Sequence, residues 1–161
     1  PYNNIAQHHG EYLKVLRINA NDTHKIRHKM LRKNQEFEAC KFNGDEEEQT
    51  FHLGAFSEGK LVSVASFFYE SHPSVQAPNQ YRLRGMATLP EFQRQGLSSD
   101  LLTMAFPIIK QNFCSVLWCN ARSSAVGYYE KVGFEKISDE FSIDGIGPHF
   151  LMVKKIKTPG L

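Results

Sequence analysis

Apolar and polar residues alternate along this chain in short blocks whose period changes several times. "EYLKVLRI" has strand composition. In "NANDTHKIRHKMLRKNQ", Ile26, Met30 and Leu31 share one face and Asp22 or Thr23 offers an N-cap, which predicts a helix. "EACKFNGDEEEQT" is polar and acidic around an Asn-Gly pair and reads as a solvated surface loop. "FHLGAF" and "LVSVASFFYE", joined by "SEGK", have the pattern of an antiparallel hairpin. After the turn-rich "SHPSVQAPNQ", "YRLRGMATL" reads as a strand. Past Gly96, residues Leu97, Leu101, Met104, Ala105 and Ile108 recur at helical spacing, with Pro107 expected to bend the helix. "SVLWCNA" is a further strand, "SSAVGYYEKVGF" a helix stopped by Gly133, and the tail gives two strands around "DGIGP".

The chain has 161 residues, 41% of them hydrophobic, enough for one substantial core and one domain spanning 1–161. With 19 basic against 17 acidic residues, the formal charge is +2. No large field of one sign exists to attract nucleic acid or an anionic membrane, so any anion must be bound locally. No apolar run approaches the roughly 20 residues of a membrane span, and "PYNNIAQHHGEY" lacks the regions of a signal peptide, so a cytoplasmic protein is expected. Cys40, Cys114 and Cys119 lack CxxC spacing and read as reduced thiols without a disulfide.

The stretch "LPEFQRQGLSSDLL" feeds a strand into a helix through a polar run and a lone glycine. A helix N-terminus leaves about four backbone N–H groups without partners and carries roughly half a positive charge. Gly96 removes a side chain that would hold a phosphate away, and Leu97, Ser98 and Ser99 can aim N–H groups at it. A simple sharp turn is the alternative. No GxxxxGK[ST] and no GxGxxG follows a predicted strand, which disfavours nucleotide cofactors in their usual folds.

The ordered set "LRGMATLPEFQRQGLSSDLL", "LWCNARSSAVGYYEKVGF" and "DGIGPHFLM" resembles the GNAT superfamily of acyl-CoA-dependent N-acyltransferases. Gln93, Arg94, Gln95, Gly96 and Leu97 fit that family's [QR]xxGx[GA] loop, with Ser98 where Gly or Ala is usual. Ala125, Tyr128, Tyr129, Lys131, Gly133 and Phe134 fit its AxxFYxKxGF helix, with Tyr128 in place of Phe. "IRHKMLRKNQ" and "GPHFLM" are similar to the small ElaA-like branch.

The resemblance implies an α+β fold: a mixed, mostly antiparallel sheet of six to seven strands, helices on both faces and one splayed strand pair. It implies direct transfer of an acetyl group from acetyl-CoA, a co-substrate, to a primary amine in a ternary complex, without metal. The acceptor would be a small-molecule or peptide amine, and a homodimer is an open assembly. Pantetheine would bond to the backbone of Met86 and Thr88, flanking Ala87, with the Met86 N–H as oxyanion donor and Asn120 on the pantetheine arm. Arg94 and Gln95 would flank the diphosphate. Tyr129 would be the general acid, since a phenol with a pKa near 10 stays protonated at neutral pH and matches a leaving thiolate.

For the general base, His52, Glu70, His149 and a water chain are all open, with His149 ranked first by its place beside "DGIGP". His24 and His28 stand four apart but lack a third ligand, so surface histidines are expected rather than a metal site. Arg27, Lys29, Arg32 and Lys33 give their helix a basic, solvated side. Cys119 has no adjacent histidine to make it a nucleophile and reads as a small buried hydrophobe. The competing function is a non-catalytic CoA or acyl-CoA sensor, which would have no use for a proton donor at Tyr129.

Overall fold

In the computed structural model, which describes residues 4–8 and 11–157, the period-2 stretches form strands and the longer-period stretches helices. The strands are Asn4–His8 (β1), Glu11–Ile18 (β2), Phe51–Ser57 (β3), Lys60–Tyr69 (β4), Tyr81–Thr88 (β5), Val116–Arg122 (β6), Glu135–Lys136 (β7), Phe141–Ile143 (β8) and Gly147–Lys155 (β9). The helices are Ala20–Leu31 (α1), Leu97–Gln111 (α2) and Val126–Lys131 (α3). Part of "PYNNIAQHHGEY" and the last four residues of the 1–161 domain reading lie outside the described residues. No helix among the described residues is long and apolar enough to cross a membrane.

The chain divides into two compact units, one built from residues up to Phe68 with Leu83–Ile108, the other from Tyr69–Arg82 with Ile109 onward. In the first, strands follow the order β1-β2-β3-β4-β5, and β1/β2, β2/β3 and β3/β4 are antiparallel. The β3/β4 turn places Glu58 and Gly59 at φ +49° and +82°, the double left-handed geometry that matches strand twist. Leu13, Val62, Val64 and Ala87 from the strands bury Ile26 of α1 and Leu97 of α2 in one cluster. Each fully buried Val, Leu or Ile side chain of this kind contributes about 1.5–3 kcal/mol.

In the second unit, Tyr81 and Arg82 of β5 pair in parallel with Leu117 and Trp118 of β6. Strand β6 is antiparallel to β9, which also pairs with β7 and β8. Trp118 anchors a cluster with Val75, Val116 and Leu151, and its indole N–H donates to the Glu70 carbonyl at 2.8 Å.

The mixed, mostly antiparallel α+β class agrees with expectation, but nine strands occur among the described residues rather than six or seven. Strand β7 is the polar dipeptide Glu135–Lys136, which carries no alternation to detect. Helix α1 is capped at Asn19, earlier than expected: the Asn19 N–H donates to Asp22 Oδ2 at 3.0 Å, so Asp22 belongs to the first turn. Helix α2 continues through Pro107 as one element, with Pro107 on its exposed side. Cys114 precedes β6, and all three cysteines are free and buried.

Three polar expectations are corrected. Arg27 is fully buried rather than solvated, Asp45 of the acidic run is buried with it, and His24 is buried rather than superficial. Arg27 Nη1 and Nη2 donate to Asp45 Oδ2 and Oδ1 at 2.7 and 2.9 Å, a bidentate pair with no room for solvent to substitute. Removing one partner of a buried pair strands the other charge. Asp45→Ala is therefore expected to lower unfolding free energy by about 3–5 kcal/mol in urea titrations, well above the loss of a surface pair.

Candidate active site

The chain leaves β5 through a 3-10 turn, Pro90–Phe92, before α2 begins at Leu97. Between them Arg94 and Gly96 both adopt left-handed backbone, φ +62° and +81°, with Gln95 at negative φ. Such alternation turns successive N–H groups toward one concave side, the geometry of an anion nest, and runs directly into the N-terminus of α2. Gly96 carries the higher positive φ at no steric cost, whereas Arg94 pays a strain penalty to present an exposed guanidinium. The Gln95 side chain instead donates to the Glu91 carbonyl at 3.4 Å. Ser98 Oγ lies 3.5 Å from Thr88 Oγ1, which in turn bonds Ser63 Oγ at 2.7 Å, tying the start of α2 to β4 and β5.

Backbone direction along β5 follows from its bonds to β4. The Leu89 N–H donates to the Val62 carbonyl at 2.9 Å, and the Ala87 carbonyl accepts from Ser63 Oγ at 3.3 Å. Backbone groups alternate in a strand, so those of Met86 and Thr88 point to the opposite edge. The Thr88 carbonyl already accepts Gln93 Nε2 at 3.0 Å. Immediately before Met86, Gly85 sits at φ +65° within β5.

In the second unit, Asn120 of β6 has a buried Oδ1 without a hydrogen-bond partner, an atom that awaits a donor. Tyr129 of α3 packs edge-on against Tyr128 and Phe134, with ring centroids 5.3 and 5.2 Å away. Burial first, then the charges of Cys119 and Tyr128, raise its phenol well above the usual value. Cys119 is buried and its thiol is pushed up to about 12 by burial, against a smaller opposing effect of Arg82, so it stays protonated at neutral pH. His149 is buried, and its Nδ1 donates to the Gly147 carbonyl at 2.7 Å, which fixes the tautomer and leaves Nε2 with the lone pair.

A family model described as an acetyltransferase (GNAT) domain matches residues 17–156. The chain belongs to the GNAT acetyltransferase family. It is 42% identical over 146 residues to the uncharacterized N-acetyltransferase YitI of Bacillus subtilis (strain 168), covering 91% of this chain and 98% of that one. In fold it is similar to Escherichia coli ElaA, with TM-score 0.69 at 12% identity over 89% and 99% of the two chains. It is likewise similar to an aminoglycoside 6'-N-acetyltransferase complexed with coenzyme A, with TM-score 0.71 at 8% identity over 91% and 99%. As a GNAT protein the chain is an N-acyltransferase.

Among the candidate bases, two are engaged elsewhere in the structure. His52 Nε2 bonds the Asp45 carbonyl at 3.0 Å, and because a carbonyl only accepts, Nε2 carries the proton. Its Nδ1 then accepts from Ser66 Oγ at 2.6 Å, while Ser66 Oγ accepts from Arg27 Nη2 at 2.7 Å. Both ring nitrogens are spent. Glu70 is held by Arg82 Nη1 at 3.0 Å. His24 and His28 flank Phe37 edge-on, and His28 Nε2 donates to the Gln35 carbonyl at 2.9 Å. Among the described residues no group of three metal-ligating side chains occurs.

The Arg27, Asp45, His52 and Ser66 network was not anticipated from sequence. The available signal was Arg27's position: it shares the buried stripe of α1 with Ala20, Thr23 and His24, where a charge needs a partner. His52 is depressed chiefly by burial, with the Asp45 carbonyl bond opposing and Arg27 adding to the depression. The unfolded chain therefore binds this proton first on acidification. Stability present above about pH 6.5 should fall as pH drops through the folded-state value. In urea midpoints measured across pH, His52→Gln is expected to flatten that slope below pH 6.5, and an unchanged slope would reject the assignment.

Proposed function

We propose that this chain is a single GNAT domain that transfers an acetyl group from acetyl-CoA directly to a primary amine within a ternary complex, the amine being carried by a small molecule or a peptide. The observation that carries the reading is the left-handed pair Arg94 and Gly96 opening onto the N-terminus of α2. A Cβ at Gly96 would be strained at φ +81°, and the orphaned Asn120 Oδ1 offers an acceptor for an amide of the pantetheine arm. The turn at Gly96 suits a diphosphate and Asn120 Oδ1 an amide donor, the two kinds of group coenzyme A presents.

Bound acetyl-CoA supplies the activated acetyl thioester. The N–H groups of Leu97, Ser98 and Ser99 with that of Gly96 hold the diphosphate, and Arg94 adds charge-assisted bonds. The outward edge of Met86 and Thr88 extends the strand ladder to the pantetheine amides; Thr88 contributes chiefly its N–H, since its carbonyl serves Gln93. The Met86 N–H stabilises the developing oxyanion. Nε2 of His149 accepts the proton the amine sheds, and Tyr129 donates its own to the departing thiolate. A protonated, buried Cys119 thiol supports transfer without an acyl-enzyme.

Free-thiol release with a panel of amines tests the reaction. Tyr129→Phe is expected to lower turnover by about 10²-fold with coenzyme A affinity nearly unchanged. Because the folded-state phenol is raised above its usual value, the wild-type rate should show no alkaline decline from Tyr129 until well above pH 10. Unaltered turnover in Tyr129→Phe, or a decline beginning near neutral pH that the variant abolishes, contradicts the assignment.

A further inference from the structure

We propose that Arg27 is a positioning residue for acyl transfer, acting through the left-handed Gly85 of β5 on the N–H of Met86. The inference rests on the acetyl-transfer reading above. Arg27 is fully buried, and its guanidinium makes four hydrogen bonds to three separate segments. Nη1 donates to the Cys40 carbonyl at 2.8 Å and to Asp45 Oδ2 at 2.7 Å; Nη2 donates to Asp45 Oδ1 at 2.9 Å and to Ser66 Oγ of β4 at 2.7 Å. Its carbon lies 3.9 Å from the centroid of the Phe42 ring. Asp45 is fixed in turn, since the Phe42 N–H donates to its Oδ2 at 2.9 Å. Few side chains are held so completely.

The one part of the guanidinium without a partner is Nε. It faces β5. A Cβ built on Gly85 would come within 3.1 Å of Arg27 Nε and 3.1 Å of a Phe42 ring carbon. Arg27 and Phe42 therefore form a wall flush against a glycine at φ +65°. Glycine crosses backbone wells readily, so its own sequence does not select this conformation. Arg27 and Phe42 pack directly on Gly85, close enough that a Cβ there would push them back by a few tenths of an ångström, and so hold the backbone at this point against movement toward them. The peptide plane joining Gly85 to Met86 carries the Met86 N–H, so whatever fixes Gly85 aims that donor. A displacement of about 1 Å in a group that meets the transition state costs up to about 10²-fold in rate. An apolar side chain would fill the space but could not tie Cys40, Asp45 and Ser66 to the strand at once.

The test uses Arg27→Lys, which keeps a charge beside Asp45 but loses the fork, and Gly85→Ala, which puts a methyl group against the wall. Coenzyme A calorimetry counts functional binding sites, and kcat is expressed per site, so that unfolded protein drops out. Both variants are expected to lose at least about 10-fold in kcat per site, with coenzyme A Kd and the KM for acetyl-CoA held within about twofold. Phe51→Leu, in the stacked pair with Phe67 of the neighbouring strand, serves as the control for a merely structural loss: it lowers Tm with kcat per site retained. Should Arg27→Lys and Gly85→Ala fail to fold, Ser66→Ala removes a single bond from the guanidinium and is expected to lower kcat per site by about threefold. Unchanged kcat per site in the folded variants, or coenzyme A affinity falling in step with kcat, overturns the proposal. Absence of turnover in the wild-type protein overturns the acetyl-transfer reading instead.

Discussion

Two residues of left-handed backbone, Arg94 at φ +62° and Gly96 at φ +81°, control how β5 becomes α2. An L-residue held at such a φ costs about 1–2 kcal/mol, so Arg94 is kept there by the elements on either side. Those elements are well anchored. Leu89 is bonded to β4, Leu97 is buried in the cluster shared with α1, and Gln93 is bonded back to Thr88. The strain buys a concave row of amides that needs no lysine, which reconciles anion binding with a chain whose formal charge is only +2.

A second constraint lies beneath the first. The buried Arg27 and Asp45 pair would be a liability if either charge lacked hydrogen bonds, but every polar atom of Asp45's carboxylate is engaged, and His52 and Ser66 complete a directed chain of donors. Burial alone would raise the Asp45 carboxyl, yet the Arg27 bond and charge and the Phe42 N–H outweigh it and leave the group below its ordinary value. The network thus remains charged on one side and neutral at His52, and it presents a rigid face to Gly85.

Legibility in the sequence followed physical range. The turn from β5 into α2 was readable because its determinants are contiguous: a lone glycine, a polar run and an apolar 3.6-residue period begin within a few positions of one another. Helix α3 was readable through its terminal glycine, whereas Tyr129 was singled out only by the resemblance to the GNAT AxxFYxKxGF helix. The Arg27 network was not, because its members are separated by 18 and 39 positions and only folding brings them together. Asp45 was further hidden inside "DEEE", where its neighbours are exposed and it is buried. Gly85 stands in the sequence as an isolated glycine within a strand pattern, without the contacts that give it meaning. Strand β7, two charged residues long, has no pattern of its own and exists through its pairing with β9.

The central claim is that the amides entering α2 hold the diphosphate of coenzyme A. Backbone amide chemical shifts recorded while coenzyme A is titrated into the uniformly labelled protein test it most directly. The account predicts that the largest saturable shifts belong to Gly96, Leu97, Ser98 and Ser99. Saturable binding that leaves those four resonances in place while others move would contradict it.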